Sequence, residues 1–202
     1  IRSNMFFLNE VGRYATKNDR IRVIHYLVNE FGLPASSIMI HAVAYGAYHC
    51  LKYLHEDEDV TISPHYSESF AANGSVKCLD YFFQKDIDIF ELPLFEIASG
   101  SGKLEVLKYL KRKHFPVDLD ISFCNAATNS HLPCLRYIHS LGGRGTPETL
   151  PKVIKRDNAL ILRYLLESNY PMEPTVFHLA HSSKSTQCLK VLNEFGIGWD
   201  DK

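Results

Sequence analysis

No stretch of this chain approaches the roughly 18 consecutive apolar residues that a membrane-spanning helix needs. There is no G-x-x-x-x-G-K-[ST], no H-E-x-x-H and no C-x-x-C, so the commonest phosphate-loop, zinc-protease and dithiol signatures are missing. Net charge is only −1, with 22 basic and 23 acidic residues, which gives no overall footprint for nucleic acid. No secretory leader is visible. The chain begins Ile1-Arg2-Ser3 without an initiator methionine, which points to an excerpt or a processed product. What remains is an ordinary folded composition, 46% hydrophobic and 22% charged.

The chain is periodic. Sliding it against itself aligns Tyr26-Leu27, Tyr53-Leu54, Tyr81-Phe82, Tyr109-Leu110, Tyr137-Ile138, Tyr164-Leu165 and Val191-Leu192, at steps of 27, 28, 28, 28, 27 and 27 residues. Such a period is the mark of a stacked array in which each unit buries its apolar face on its neighbours. Each copy has a first short helix ending in small residues, such as Ala42, Ala71, Ala98 and Ala126. A turn position follows at Asp19, Gly46, Gly74, Gly102, Ser130, Asp157 and Lys184. Glycine leaves a helix through positive φ without penalty, so the four copies lacking it are expected to stop the helix by other means. The second helix carries a wide apolar stripe, as in Leu104, Val106, Leu107, Tyr109 and Leu110. A Pro- or Gly-bearing loop closes most copies.

Five cysteines is an odd number, and the repeat spacing explains four of them. Cys50, Cys78, Cys134 and Cys188 each stand three residues before the anchor, a slot filled by Val23, Val106 and Ile161 in other copies. A slot that exchanges Cys, Val and Ile is a small buried apolar site, and free thiols in it fit a reducing, intracellular compartment, cytoplasmic or nuclear.

The best-preserved copy, Pro93-Leu94-Phe95-Glu96-Ile97-Ala98-Ser99-Gly100-Ser101-Gly102-Lys103-Leu104-Glu105-Val106-Leu107-Lys108-Tyr109-Leu110, resembles the ankyrin pattern T-P-L-H-x-A-A-x-x-G-H-x-x-V-V-x-L-L-L. Thr175-Val176-Phe177-His178-Leu179-Ala180 matches its opening and Ala126-Ala127-Thr128-Asn129-Ser130-His131-Leu132 its middle. The period is shorter than the usual 33 residues, and this short variety is similar to ankyrin repeats abundant in large DNA viruses and amoebae. The resemblance implies an all-α helix-turn-helix solenoid of about seven repeats, with shortened or absent β-hairpin fingers. It forms a single array over 1–202, with repeats near 10–36, 37–63, 64–91, 92–119, 120–146, 147–173 and 174–199. Residues 1–9 are expected to be a cap or the remnant of an earlier helix. The tail Gly198-Trp199-Asp200 resembles the opening of a further repeat.

For function, the resemblance implies binding rather than catalysis. The partner is another protein met on the inner face, with no small-molecule substrate, membrane, cofactor or metal, and net charge argues against nucleic acid. The variable pair before the turn supplies the candidates Lys17, Asn18, Tyr45, Asn73, Ser101, Asn129, Lys155 and Arg156. Tyr45 and Arg156 lead, since Tyr and Arg are enriched at interface hot spots. The alternative for all seven pairs is an ordinary solvated helix end. A second functional reading is a structural or adaptor subunit, such as the substrate-recruiting arm of a ubiquitin-ligase-type complex or a virus–host interaction protein. It is motivated by the apolar ends at Phe6, Phe7 and Trp199. An outer row of His25, Lys52, Asp80, Lys108, Arg136, Arg163 and Lys190 is a second basic face, expected to be solvated. Glu56-Asp57-Glu58-Asp59 is expected to be a solvated acidic loop. It lacks the alternating acids and glycine of a calcium loop.

Overall fold

The structure, a computed structural model, describes residues 2–198, so the expectations for Trp199 and the tail beyond it lie outside the described residues. Among the described residues there are fourteen helices and no strand. In chain order they are α1 (Arg2–Lys17), α2 (Ile21–Asn29), α3 (Ala35–Tyr45), α4 (Tyr48–Glu56), α5 (Tyr66–Asn73), α6 (Val76–Gln84), α7 (Leu94–Gly100), α8 (Leu104–Arg112), α9 (Leu119–Thr128), α10 (Leu132–Ser140), α11 (Thr149–Lys155), α12 (Ala159–Glu167), α13 (Val176–Ser182) and α14 (Thr186–Glu194). Odd and even numbers are the first and second helices of seven pairs. The chain divides into two compact units, 1–98 with 105–116, and 99–104 with 117–202. In the first unit α1, α3 and α5 pack side by side, as do α2, α4 and α6; in the second unit α11 lies between α9 and α13, and α12 packs on α14.

Every one of these helices ends in the same backbone device. Residues 19, 46, 74, 102, 130, 157 and 184 all have positive φ, and so do residues 32, 59, 86, 114, 142, 169 and 196 after the second helices. The four turn positions without glycine therefore do not stop the helix differently, as the composition led one to expect. Asp19 (φ 50°), Ser130 (66°), Asp157 (53°) and Lys184 (57°) adopt the left-handed conformation themselves. The next N–H then bonds five residues back, as in Arg20 to the Ala15 carbonyl, Ala47 to Ala42, His131 to Ala126 and Ser185 to Ala180, which closes the helix in a Schellman motif.

What occupies the turn depends on the following pair. A Cβ on Gly46 would sit 1.5 Å from Ser75 Oγ, and one on Gly102 would sit 2.5 Å from the His131 ring, so those two turns have no room for a side chain. Where the following pair leaves space, the turn residue reaches across. Asp19 accepts the N–H groups of His49 (3.2 Å) and Cys50 (3.0 Å), and Asp157 those of Gln187 (2.9 Å) and Cys188 (2.8 Å). These are N2 and N3 of α4 and α14, whose own N-cap residues, Ala47 and Ser185, make no side-chain cap bond. Each aspartate thus caps a helix about thirty residues further on. The traffic also runs backward. Asn73 donates to the Val43 and Ala44 carbonyls (3.2 Å each), Asn158 to Ala127 (3.4 Å) and Ser185 to Ile154 (2.6 Å), closing first-helix C-termini of the preceding pair.

The anchor tyrosines form a third set of ties. Tyr53 accepts from Asn29 (3.0 Å), Tyr81 meets His55 (2.6 Å), Tyr109 donates to Asp80 (2.7 Å) and Tyr164 meets His139 (2.6 Å). Each hydroxyl reaches the second helix of the pair before. The cysteine slot is buried as expected at Cys50, Cys78, Cys134, Cys188, Val106 and Ile161, and all five cysteines are free. Burial raises the thiols of Cys78 and Cys188 to about 12, which keeps them protonated at neutral pH. Val23 departs from this pattern at 39% exposed, and Tyr26 beside it at 55%, because no described helix pair precedes α2 to cover them. Residues 2–9 also differ from expectation. They are the first turns of α1 itself and not a separate cap, since neither proline nor a left-handed residue interrupts the segment up to Lys17.

Two predictions test these devices. Lys184→Gly should raise unfolding stability by about 1 kcal/mol in urea titration, by relieving a left-handed L-residue. Asp157→Gly at the equivalent turn should show no such gain, because the same relief is offset by loss of the α14 cap, about 1 kcal/mol. The second concerns acid. Partial burial pushes Asp19 up, but the N–H of Cys50 and the ring and N–H of His49 outweigh it and hold the carboxyl below its usual value. A depressed carboxyl contributes stability above its unfolded value, near 3.9, and loses it as pH falls through the folded value. Thermal melts across the acid range should therefore show a steep loss below about pH 4 that Asp19→Asn flattens.

Candidate functional site

The eight candidate residues fall in two groups. In the first unit Lys17 is exposed at the end of α1, and Asn18 turns back on its own helix to donate to the Tyr14 carbonyl (2.9 Å). Tyr45 is 37% exposed and stacks on His41 (6.4 Å between centroids, 21° between planes). Glu10, then Tyr45, raise the pKa of the Arg13 guanidinium, and Arg13 lies 2.6 Å from Glu10. Asn73 is half-buried, its amide donating to the α3 carbonyls and its oxygen accepting from Ser75 N–H (3.1 Å). The nitrogen that a sequon at Asn73-Gly74-Ser75 would offer is therefore already engaged.

In the second unit Asn129, Lys155 and Arg156 come together, with Asn125, Thr128 and Lys152, around a hollow of about 410 Å³. Ser101 is half-buried in the turn after α7 and does not line it. The geometry follows from helix spacing. Residues 125 and 128 with the C-cap Asn129 share one face at the end of α9, and 152 and 155 with the C-cap Arg156 share one face at the end of α11. Arg156 is fixed by bonds to Asn129 Oδ1 (2.9 Å) and the Thr128 carbonyl (3.3 Å), both neutral acceptors. Lys152 pairs with Glu148 at 2.6 Å, which lowers the pKa of the carboxylate and raises that of the ammonium. Lys155 is exposed and has no ion-pair partner among the described residues. The row therefore carries three cations against one carboxylate.

The outer row is arranged differently. Lys52 pairs with Glu56 (3.7 Å), Lys108 with Glu105 (2.8 Å) and Arg163 with Glu194, while Arg136 lies over the Tyr164 ring at 5.0 Å. Most of its charge is neutralised locally. The acidic loop is less free than expected, since Glu56 takes Lys85 (2.8 Å) and Glu58 accepts the Tyr53 hydroxyl. His178 and His181 are both exposed on α13, and among the described residues no three His, Cys, Asp or Glu side chains group as a metal site. No helix among them is long and apolar enough to cross a membrane.

Sequence spacing finds Lys155, Arg156 and Asn129 but passes over Lys152 and Asn125, one helical turn earlier on the same faces. The variable pair marks a chain position, whereas the hollow runs along two helices. A second concavity, of about 410 Å³ between α11 and α13, is walled by Leu150, Pro151, Val176, Leu179 and Met172. Its prolines and methionine read as loop punctuation in one dimension. No protein-family model matches the chain, and no curated protein matches it.

Proposed function

We propose that this chain is an ankyrin-type repeat module that binds another protein across the inner face of its first helices, as a scaffold and not as an enzyme. The sequence period, the two matching series of left-handed residues and the paired helices support the repeat reading. The observation that carries the binding reading is the cation row of Lys152, Lys155 and Arg156, gathered around one hollow with Glu148 as its one ion-pair partner, while Lys52, Lys108 and Arg163 of the outer row each pair with a carboxylate. Such a row attracts an acidic partner and steers its approach. The adaptor reading is favoured by a separate feature, the exposed Phe6 and Phe7 of α1 with Val23 and Tyr26 of α2, an apolar surface suited to a neighbouring subunit.

The test is affinity capture from the native source at about 0.15 M salt, where exposed charges act over about 8 Å, with wild type, Lys155→Glu and the outer-row control Lys190→Glu. A partner held by wild type and Lys190→Glu but weakened about tenfold, about 1.4 kcal/mol, by Lys155→Glu is the expected result. Equal retention by all three sinks the inner-face assignment.

A further inference from the structure

Helix α11 is flanked by hollows of opposite character. On its α9 side lies the cation row. On its α13 side lies the apolar cleft of about 410 Å³, walled by Leu150 and Pro151 from α11, Val176 and Leu179 from α13, and Met172 from the loop between. A third hollow of about 480 Å³ joins them around the start of α11, sharing Asn125 and Lys152 with the first and Thr146 and Pro147 with the second. The cleft is held open by its frame. Tyr170, at its edge, stacks on Phe123 (5.9 Å, 9°), and its hydroxyl donates to the Thr146 carbonyl (3.3 Å). Pro147, Pro151 and Pro171 stiffen the rim. A preformed apolar cleft of this size accepts a large side chain without reorganisation, the usual seat of an interface anchor.

We propose that the occupant of the inner face is a short acidic segment of the partner that carries one large apolar side chain. Its carboxylates lie over Lys152, Lys155 and Arg156, and the apolar side chain seats between α11 and α13. This rests on the protein-binding reading above and names the chemistry of the partner. Charge complementarity fixes the acidic half: across the three hollows Lys152, Lys155, Arg156 and Arg144 stand against Glu148 and Glu173. Helix geometry fixes the spacing. From Leu150 to Arg156 the rise along α11 is about 9 Å, and the two hollows lie on opposite sides of a helix about 10 Å across, a separation that about four or five residues of extended chain span. A nucleic acid meets the cations but leaves the proline-rimmed cleft empty.

The experiment uses the full chain and synthetic peptides of about twelve residues, long enough at about 3.3 Å per residue to cross α11, followed by fluorescence anisotropy. One peptide alternates clustered Asp and Glu with a single Trp; a second replaces the Trp by Ser; a single-stranded oligonucleotide of similar charge is the third probe. The Trp peptide should bind at least about tenfold tighter than the Ser peptide. Met172→Asp, on an exposed wall of the cleft, should erase that difference, so that the Trp and Ser peptides bind the variant equally. Lys155→Glu should weaken both peptides. Equal binding of the Trp and Ser peptides, or no effect of Met172→Asp, overturns the apolar half, yet a retained Lys155→Glu effect leaves the protein-binding reading standing. Tighter binding of the oligonucleotide than of either peptide overturns the inference. If neither acidic peptide binds, the inference falls, and the capture experiment judges the wider reading separately.

Discussion

The structure depends on a residue held in the left-handed conformation at the end of each helix. Two series of seven such residues run through the chain at intervals of 27 or 28. For an L-residue this conformation costs on the order of 1–2 kcal/mol, so a chain that places Asp, Ser, His, Asn and Lys there holds them by other means. The aspartates show one such means. At Asp19 and Asp157 the strained backbone aims a carboxylate at two N–H groups of a helix in the next pair, so the strain and the cap are one feature. At Gly46 and Gly102 the space is filled from the other side, by Ser75 and His131. The turn is therefore an exchange between neighbours and not a local stop.

Much of this was legible in one dimension because it is periodic. The tyrosine spacing placed the helix pairs, the small residues marked the close approach of first helices, and the Cys, Val and Ile slot named a buried site. The conformation at Asp19, Ser130, Asp157 and Lys184 was not legible, because glycine is the only residue whose identity announces a positive φ. Nor was the burden on Asn73 and Arg156. A variable polar residue at a helix end looks the same whether it faces solvent or donates to a carbonyl thirty residues away. Val23 shows the complementary failure, since a slot defined by seven copies says nothing about whether the first copy has a neighbour to bury it.

The candidate face divides along the same line. Lys155 and Arg156 were readable as departures from the common pattern. The hollow they line was not, because its other wall comes from α9 and its apolar counterpart from loop residues that carry prolines for conformational reasons. What two adjacent first helices leave between them is a property of spacing in three dimensions. The outer row makes a contrast. Lys52, Lys108 and Arg163 there each have a carboxylate partner, whereas of the three cations around the α9–α11 hollow Lys152 alone does.

The direction of the ties between pairs has a consequence for synthesis. The caps for α4 and α14 come from Asp19 and Asp157, which leave the ribosome before the helices they close. The C-terminal carbonyls of α3 and α11 wait instead for Asn73 and Ser185, about thirty residues downstream. At translation rates of about 5–20 residues per second, that wait is roughly 2–6 s. Helices α4 and α14 thus emerge to a finished cap, whereas α3 and α11 stand with an open end until the next pair arrives.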